Sequence, residues 1–324
     1  MHAIGDVAIT FPALTSFQRL HPSTTVDFLT TAPCFSLVKV ISYPGDVYSF
    51  PVCRTRGERL RAATGFALQM RRNRYDVILD LQRNWVSRLI RRMSSAEAWG
   101  EFERFIPHTA ADRTLAAFAS AGFPSVRNDF QVPLRDSVLS KARDQLLQAG
   151  WDGISVPIVI NPAGLWETRQ WPVDNYLELC RHLLDSSRRQ LLLLGTDRIH
   201  EKALRIKAAF RDRTIDLTQR TTLGEALGIL QYCGGIVTED SGLMHMAWAT
   251  GIPLVGLFGS TSHVMSAPTG AHVHIFHSGD LACGDCMSPQ CKFNDVHCLT
   301  RVSPSTVLAT FNTVRKAGRP PRQI

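Results

Sequence analysis

The run from Gly235 to Thr261 constrains the fold more than any other part of the chain. Gly235-Ile236-Val237-Thr238 is a short apolar run that ends at Glu239, Asp240, Ser241 and Gly242, after which Leu243, Met246, Ala247 and Ala249 recur at helical spacing. Asp240 or Ser241 is expected to cap that helix. Gly251 suits the left-handed position that closes it, and Pro253 can open a strand but cannot continue a helix. Leu254 to Phe258 then reads as a fully buried strand. Strand-to-helix turns in a parallel sheet leave backbone N–H groups unpaired at the positive end of the helix, where a diphosphate can accept from them. Gly242 lets such a ligand approach the backbone. The other reading is an ordinary capped helix without a ligand, with His245, one turn in, as a core histidine.

The same alternation runs through the chain. Candidate strands are 26–30, 36–41, 76–81, 158–161, 190–194, 214–217, 235–238 and 254–258, and amphipathic stretches of helical length include 57–72, 112–121, 137–149, 173–187, 198–210 and 223–232. Repeated strand and helix units imply parallel sheets covered on both faces. At 324 residues, the usual size of about 100 to 200 residues per domain predicts two domains. Gly, Trp and Pro between Gly150 and Pro157 interrupt the pattern, so the expected division is 1–152 and 153–318, with 319–324 as a disordered tail. Ser303-Pro304 opens a last helix that runs to about Lys316.

No run approaches the roughly 18 apolar residues of a membrane helix, and no basic region followed by an apolar one marks the N-terminus; the expected location is cytoplasmic. The formal charge of +8 is concentrated in the N-terminal half, where Arg54 to Arg92 holds eleven arginines against Glu58, Asp76 and Asp80. A solvated helix face and a surface for phosphates of an anionic glycolipid or membrane are the two leading readings. Nucleic acid is not expected as a partner, because no helix-turn-helix, RNP-type or zinc-finger pattern accompanies the charge.

Of eight cysteines, Cys34, Cys53, Cys180 and Cys233 are scattered and read as small buried apolar side chains. Cys283, Cys286, Cys291 and Cys298 are clustered as C-x2-C-x4-C-x6-C, beside Asp285 and His297. Four thiolates at that spacing suit a structural zinc or iron site. Disulfides are the alternative, disfavoured in a reducing compartment.

The 240–261 segment resembles the nucleotide-sugar signature of glycosyltransferase family 9, the ADP-heptose:lipopolysaccharide heptosyltransferases. Asp240, Ser241, Gly242, His245, Ala247, Ala249, Gly251, Pro253, Val255, Leu257, Phe258, Gly259 and Thr261 fill it. Gly5-Asp6-Val7 with Thr10, Pro12, Ala13 and Leu14 is similar to the family's opening, 76–82 with Ser87 to its second N-terminal strand and turn, and Asn161-Pro162-Ala163 with Arg169-Gln170-Trp171-Pro172 to the segment after its first C-terminal strand. The chain departs from the pattern at Glu239, where a small polar residue is usual, and at Gln219, where Gly is common. Met1 stands only five residues before Asp6, which leaves no room for the first parallel strand of the family: the expectation is either a true start upstream or a truncation, or, if the sequence is complete, an N-terminal sheet without a central strand.

The resemblance implies an α/β, GT-B type fold: two Rossmann-like doubly wound parallel-sheet domains facing a cleft. It implies inverting transfer of a heptose from an ADP-sugar donor to an inner-core lipopolysaccharide acceptor, without a catalytic metal. Asp6 becomes the general base. Asp240, Ser241 and Gly242 hold the diphosphate, with His245 beside them, Arg169 as a cation and Glu201 as a ribose partner. Gln82, Arg71, Arg72, Arg91 and Arg92 fall on the acceptor side, with peripheral inner-membrane association as a corollary. The cysteine segment also resembles one found in family members, some of them associated with iron. A protein (autotransporter) acceptor, and a non-catalytic member serving as an assembly partner, are the competing expectations; an epimerase would share only the fold.

Overall fold

A computed structural model describes residues 3–43, 45–103, 108–185 and 188–323 of the chain. The chain divides into two compact units, Met1–Pro133 and Leu134–Ile324.

The first unit begins with α1 (Ile4–Leu20), whose residues Val7 to Thr15 are all buried. A helix apolar on every side belongs in a core rather than on a surface. There follow β1 (Phe28–Thr31), α2 (Ala32–Lys39), β2 (Val47–Phe50), α3 (Arg56–Asn73), β3 (Val77–Asp80), α4 (Trp85–Ser94), β4 (Ala98–Glu101) and α5 (Ala110–Ser120). β1 pairs in parallel with β2, and β3 with β4, as two separate two-stranded sheets. One small core joins α1 and α5 (Ala13, Leu14, Phe17, Phe118) with Phe28 and Leu79. Another joins α3 and α4 (Ala63, Ala67, Met70, Ile90) with Leu29 and Tyr48. A cavity of about 1720 Å³ is bordered by both β1 and β3.

The second unit contains α6 (Asp136–Gln148), β5 (Val156–Asn161), α7 (Val173–Leu184), β6 (Arg189–Leu193), α8 (His200–Phe210), β7 (Thr214–Asp216), α9 (Leu223–Leu230), β8 (Ile236–Glu239), α10 (Gly242–Ala249), β9 (Leu254–Leu257), the one-turn α11 (His263–Ser266), β10 (Val273–Phe276), the one-turn α12 (His297–Thr300) and α13 (Pro304–Val314). All six strands are parallel, in the order β10-β9-β8-β5-β6-β7. Their near-continuous Val, Ile and Leu runs are what a sheet covered on both faces requires. Trp171, Tyr176, Leu179 and Leu183 bury one face together with Val307 and Phe311 of α13. α9 is opened by a reciprocal capping box between Thr222 and Glu225, and α13 by Ser303 ahead of Pro304.

Four expectations change. The segment 36–41, expected as a strand, lies mostly in α2, because Pro33 in its first turn fixes a helical φ and Thr31 stands at its N-cap. The division falls between Pro133 and Leu134 rather than at 152. α6 belongs with the second unit: Tyr232 donates to the Leu139 carbonyl at 3.0 Å, and Lys141 meets Glu225 at 2.7 Å. The tail is not free over its described length: the Arg319 amide donates to Gly251 at 2.7 Å and that of Arg322 to Gln231 at 2.8 Å. Helix α7 ends at Leu184; Ser187, its expected end, and Ile324 lie outside the described residues.

Candidate functional site

The chain leaves β5 for β6 on one side of the sheet and later returns to β8 on the other side of β5. The carboxyl ends of β5 and β8 therefore form a topological switch point, where open α/β sheets bind ligands. Asn161 and Thr238 stand opposite each other there. Asn161 Oδ1 accepts from Thr238 Oγ1 at 2.8 Å and from Ser241 Oγ at 2.9 Å, while its Nδ2 donates to Leu194 O at 2.8 Å. One amide side chain thus ties together the ends of β5, β6 and β8.

Of the two capping candidates, Ser241 is the cap: its Oγ accepts from Met244 N at 3.3 Å. The other first-turn N–H groups of α10, beginning at Gly242, have no carbonyl within the helix to bond. At the other end of α10, Gly251 takes a φ of +72°, as expected of a left-handed closing residue. His245 is buried in the first turn of α10.

Arg169 reaches this helix start from the loop between β5 and α7. Its Nη2 stands 2.5 Å from Asp240 Oδ2 and donates to the Asp240 carbonyl at 2.8 Å, while the guanidinium lies 5.4 Å from the Trp166 ring centroid. Thr261 Oγ1 donates to the same Asp240 carboxylate at 2.9 Å. Sequence motifs separated by about seventy residues meet here. Gly259 permits it: a Cβ at that position would lie 1.9 Å from the Thr168 carbonyl oxygen, against which the loop packs. Glu201 is exposed on the first turn of α8. Glu239, noted in the sequence only as an unusual residue, is fully buried and accepts from the Trp171 amide at 2.6 Å and from the Gly164 amide. A charged residue at the end of a buried strand was the available signal for that role.

In the first unit, Asp6 is exposed on the first turn of α1 and does not cap it; Ala3 occupies that position. The buried Asp80 organises the turn after β3. It accepts from the amides of Gln82 at 3.2 Å and Arg83 at 2.9 Å and from Ser87 Oγ at 3.0 Å. Gln82 is buried and borders the cavity, and its Oε1 has no hydrogen-bond partner among the described residues. Arg71, Arg72 and Arg92 are exposed in the last turns of α3 and α4, where cations complement the helix dipole. Arg91 differs from these three. Its side chain is 9% exposed, lies 3.4 Å from Glu101 and 3.9 Å from Asp80, and stacks 3.7 Å over the Trp99 ring.

The four clustered cysteines are free thiols; Cys286 is exposed, and the other three are half-buried. Burial first, and then the neighbouring Cys291, Cys286 and Cys283, push the Cys298 thiol up to about 11. Among the described residues no three His, Cys, Asp or Glu side chains converge as a metal would require. The expectation of a metal-binding cysteine cluster is therefore not supported by this arrangement. Among the same residues no helix is long and apolar enough to cross a membrane.

Residues 64–297 match the model of glycosyltransferase family 9 (heptosyltransferase). The chain belongs to that family. It is 24% identical to lipopolysaccharide heptosyltransferase 1 of Pseudomonas aeruginosa, over 94% of this chain and 93% of that protein. It is 36% identical to lipopolysaccharide heptosyltransferase 2 of Escherichia coli K12 over a shorter stretch, 31% of this chain and 30% of that protein. The solved structure of the E. coli ADP-heptose LPS heptosyltransferase II superposes with a TM-score of 0.72 at 21% identity, covering 98% of this chain and 97% of that one. The expected α/β glycosyltransferase fold is therefore the one observed.

Proposed function

We propose that this member of glycosyltransferase family 9 transfers a heptose, with inversion, from ADP-heptose to an inner-core lipopolysaccharide acceptor. Support comes from the family match and from relatives named for lipopolysaccharide heptosyl transfer. The observation that carries the reading is the Arg169 guanidinium beside Asp240, at the start of α10 and the switch point of the sheet.

In this reading the amides at Asp240, Ser241 and Gly242 receive the diphosphate, Arg169 adds positive charge, Glu201 binds a ribose hydroxyl, and His245 lies in the donor wall. The acceptor hydroxyl oxygen attacks the anomeric carbon on the face opposite ADP. Its proton passes to the Asp6 carboxylate, and the electron pair of the breaking carbon–oxygen bond goes to the β-phosphate oxygen. Negative charge grows on the diphosphate as it leaves, so a cation and N–H donors aimed there favour the transition state over the ground state. Every step uses this chain's own side chains and amides.

Gln82 and the exposed Arg71, Arg72 and Arg92 form the acceptor side, facing phosphates of an anionic glycolipid at the cytoplasmic surface of a membrane. Arg91 supports them through Glu101 and Trp99. Metal analysis of the purified protein, with and without chelator, tests structural zinc or iron at the cysteine segment.

The deciding experiment supplies ADP-heptose together with lipopolysaccharide truncated in its inner core and follows ADP release. Acceptor-dependent release supports the proposal. Release only with a protein acceptor moves the substrate class, and neither release nor calorimetric binding of ADP overturns the enzymatic reading.

A further inference from the structure

The loop from Pro162 to Pro172 is longer than most strand-to-helix connections in α/β units, which run to about 2 to 6 residues. A cation carried on a long loop is placed only as well as the loop is anchored. Two backbone amides bracket Arg169 in this loop, Gly164 on one side and Trp171 on the other, and both donate to the same Glu239 carboxylate. Between them the loop folds back on itself: Gln170 Nε2 donates to the Gly164 carbonyl at 3.1 Å. A Cβ on Gly164 would lie 2.2 Å from the Arg169 carbonyl oxygen and 2.8 Å from Glu239 Oε2. Glu239, the Gly164 backbone and the Arg169 backbone are therefore stacked in direct contact.

A wholly buried carboxylate is costly unless it is hydrogen-bonded and has a counter-charge nearby. Here the counter-charge is the Lys202 ammonium, 3.8 Å from Glu239 Oε1. That Nζ is itself buried without a hydrogen-bond partner among the described residues. Glu239, at the end of β8, is buried and holds the backbone of the loop, while Asp240, the next residue, holds the guanidinium.

We propose that Glu239 is a positioning residue for the donor: through Gly164 and Trp171 it fixes the loop that aims Arg169 at the diphosphate. The inference rests on the donor reading given above and adds a residue that touches neither substrate nor reacting atoms. Replacing Glu239 by Gln keeps the shape but turns an NH2 group toward one of the two amides, so one anchor is lost.

The test is a double-mutant cycle on ADP affinity, measured by calorimetry with Glu239→Gln, Arg169→Ala and the double variant. Glu239→Gln is expected to weaken ADP binding about tenfold or more, and to raise the donor KM while leaving the acceptor KM unchanged. In the Arg169→Ala background the same change is expected to alter ADP affinity less than twofold. Equal losses in both backgrounds, or none in either, overturn the proposal and leave Glu239 a fold residue. If Arg169→Ala alone binds ADP like the wild type, the donor reading itself falls. Should Glu239→Gln fail to fold, Glu239→Asp keeps the charge beside Lys202 but is too short to reach both amides, and it gives the same cycle.

Discussion

Arg169 and Asp240 are joined twice, through a carboxylate oxygen at 2.5 Å and a backbone carbonyl at 2.8 Å. A guanidinium held by its neighbour's main chain and side chain cannot swing away when a phosphate arrives. Arg169→Ala is expected to lower kcat/KM by about 10² to 10³, the scale of losing one pre-aimed donor at a site of developing charge. Arg169→Lys keeps the charge but not the planar fork and should recover only part of the loss. Steady-state kinetics with varied donor check both.

Asp6 tests the chemistry separately from donor binding. General-base assistance contributes about 10² to 10⁴ in rate, so Asp6→Asn should reduce kcat by that order while ADP affinity stays nearly intact. Unchanged kcat in a folded Asp6→Asn protein would remove Asp6 from the mechanism.

The arginines divide by burial. Neutralising Arg71, Arg72 and Arg92 together is expected to raise the acceptor KM at low salt, to leave ADP binding alone, and to lose its effect as salt screens exposed charge. Arg91→Ala should instead lower stability, by about 1 kcal/mol, because it loses the stacking on Trp99 and the cation near buried Asp80, while Glu101 keeps Arg83 and Arg88. Thermal melts and acceptor kinetics on the two variants separate these roles.

Attachment of α6 to α9 carries a pH signature. Partial burial opposes ionisation of Glu225, but Lys141 and the Thr222 amide and hydroxyl outweigh it and hold the carboxyl down to about 2, against an ordinary value of 4.5. A lowered folded pKa stabilises the protein above the unfolded value, and that stability is lost as pH falls toward the folded one. Wild type should therefore exceed Glu225→Gln in melting temperature at pH 6, with the gap closing between about pH 4.5 and 2. A gap independent of pH would assign the effect to packing.

Much of the second unit is legible in the order of its residues. The apolar runs of β5, β6, β8 and β9, the Ser303 cap, and Gly251 ahead of Pro253 each announce their local structure, because strand burial, capping and positive φ are set within a few residues. The first unit is less open. α1 leaves little trace in the sequence, since a helix buried over most of its surface shows no polar stripe, and Val47–Phe50 and Ala98–Glu101 are too short and mixed to stand out as strands. The segment 36–41 is ambiguous because Val, Ile and Leu satisfy either period over so short a length.

By itself the sequence determined the family, the alternation of strand and helix, and the chemistry available at Asp240, Ser241 and Gly242, because those follow from residue type and spacing along one stretch of backbone. Only the tertiary structure decided that Arg169 meets Asp240, that Arg91 is committed to Glu101 and Trp99, that α6 packs with the second unit, and that Glu239 anchors a loop about seventy residues away. Those relationships depend on which strands lie side by side. Parallel neighbours such as β5 and β8 are joined by long crossovers, so their partnership is written in no local pattern.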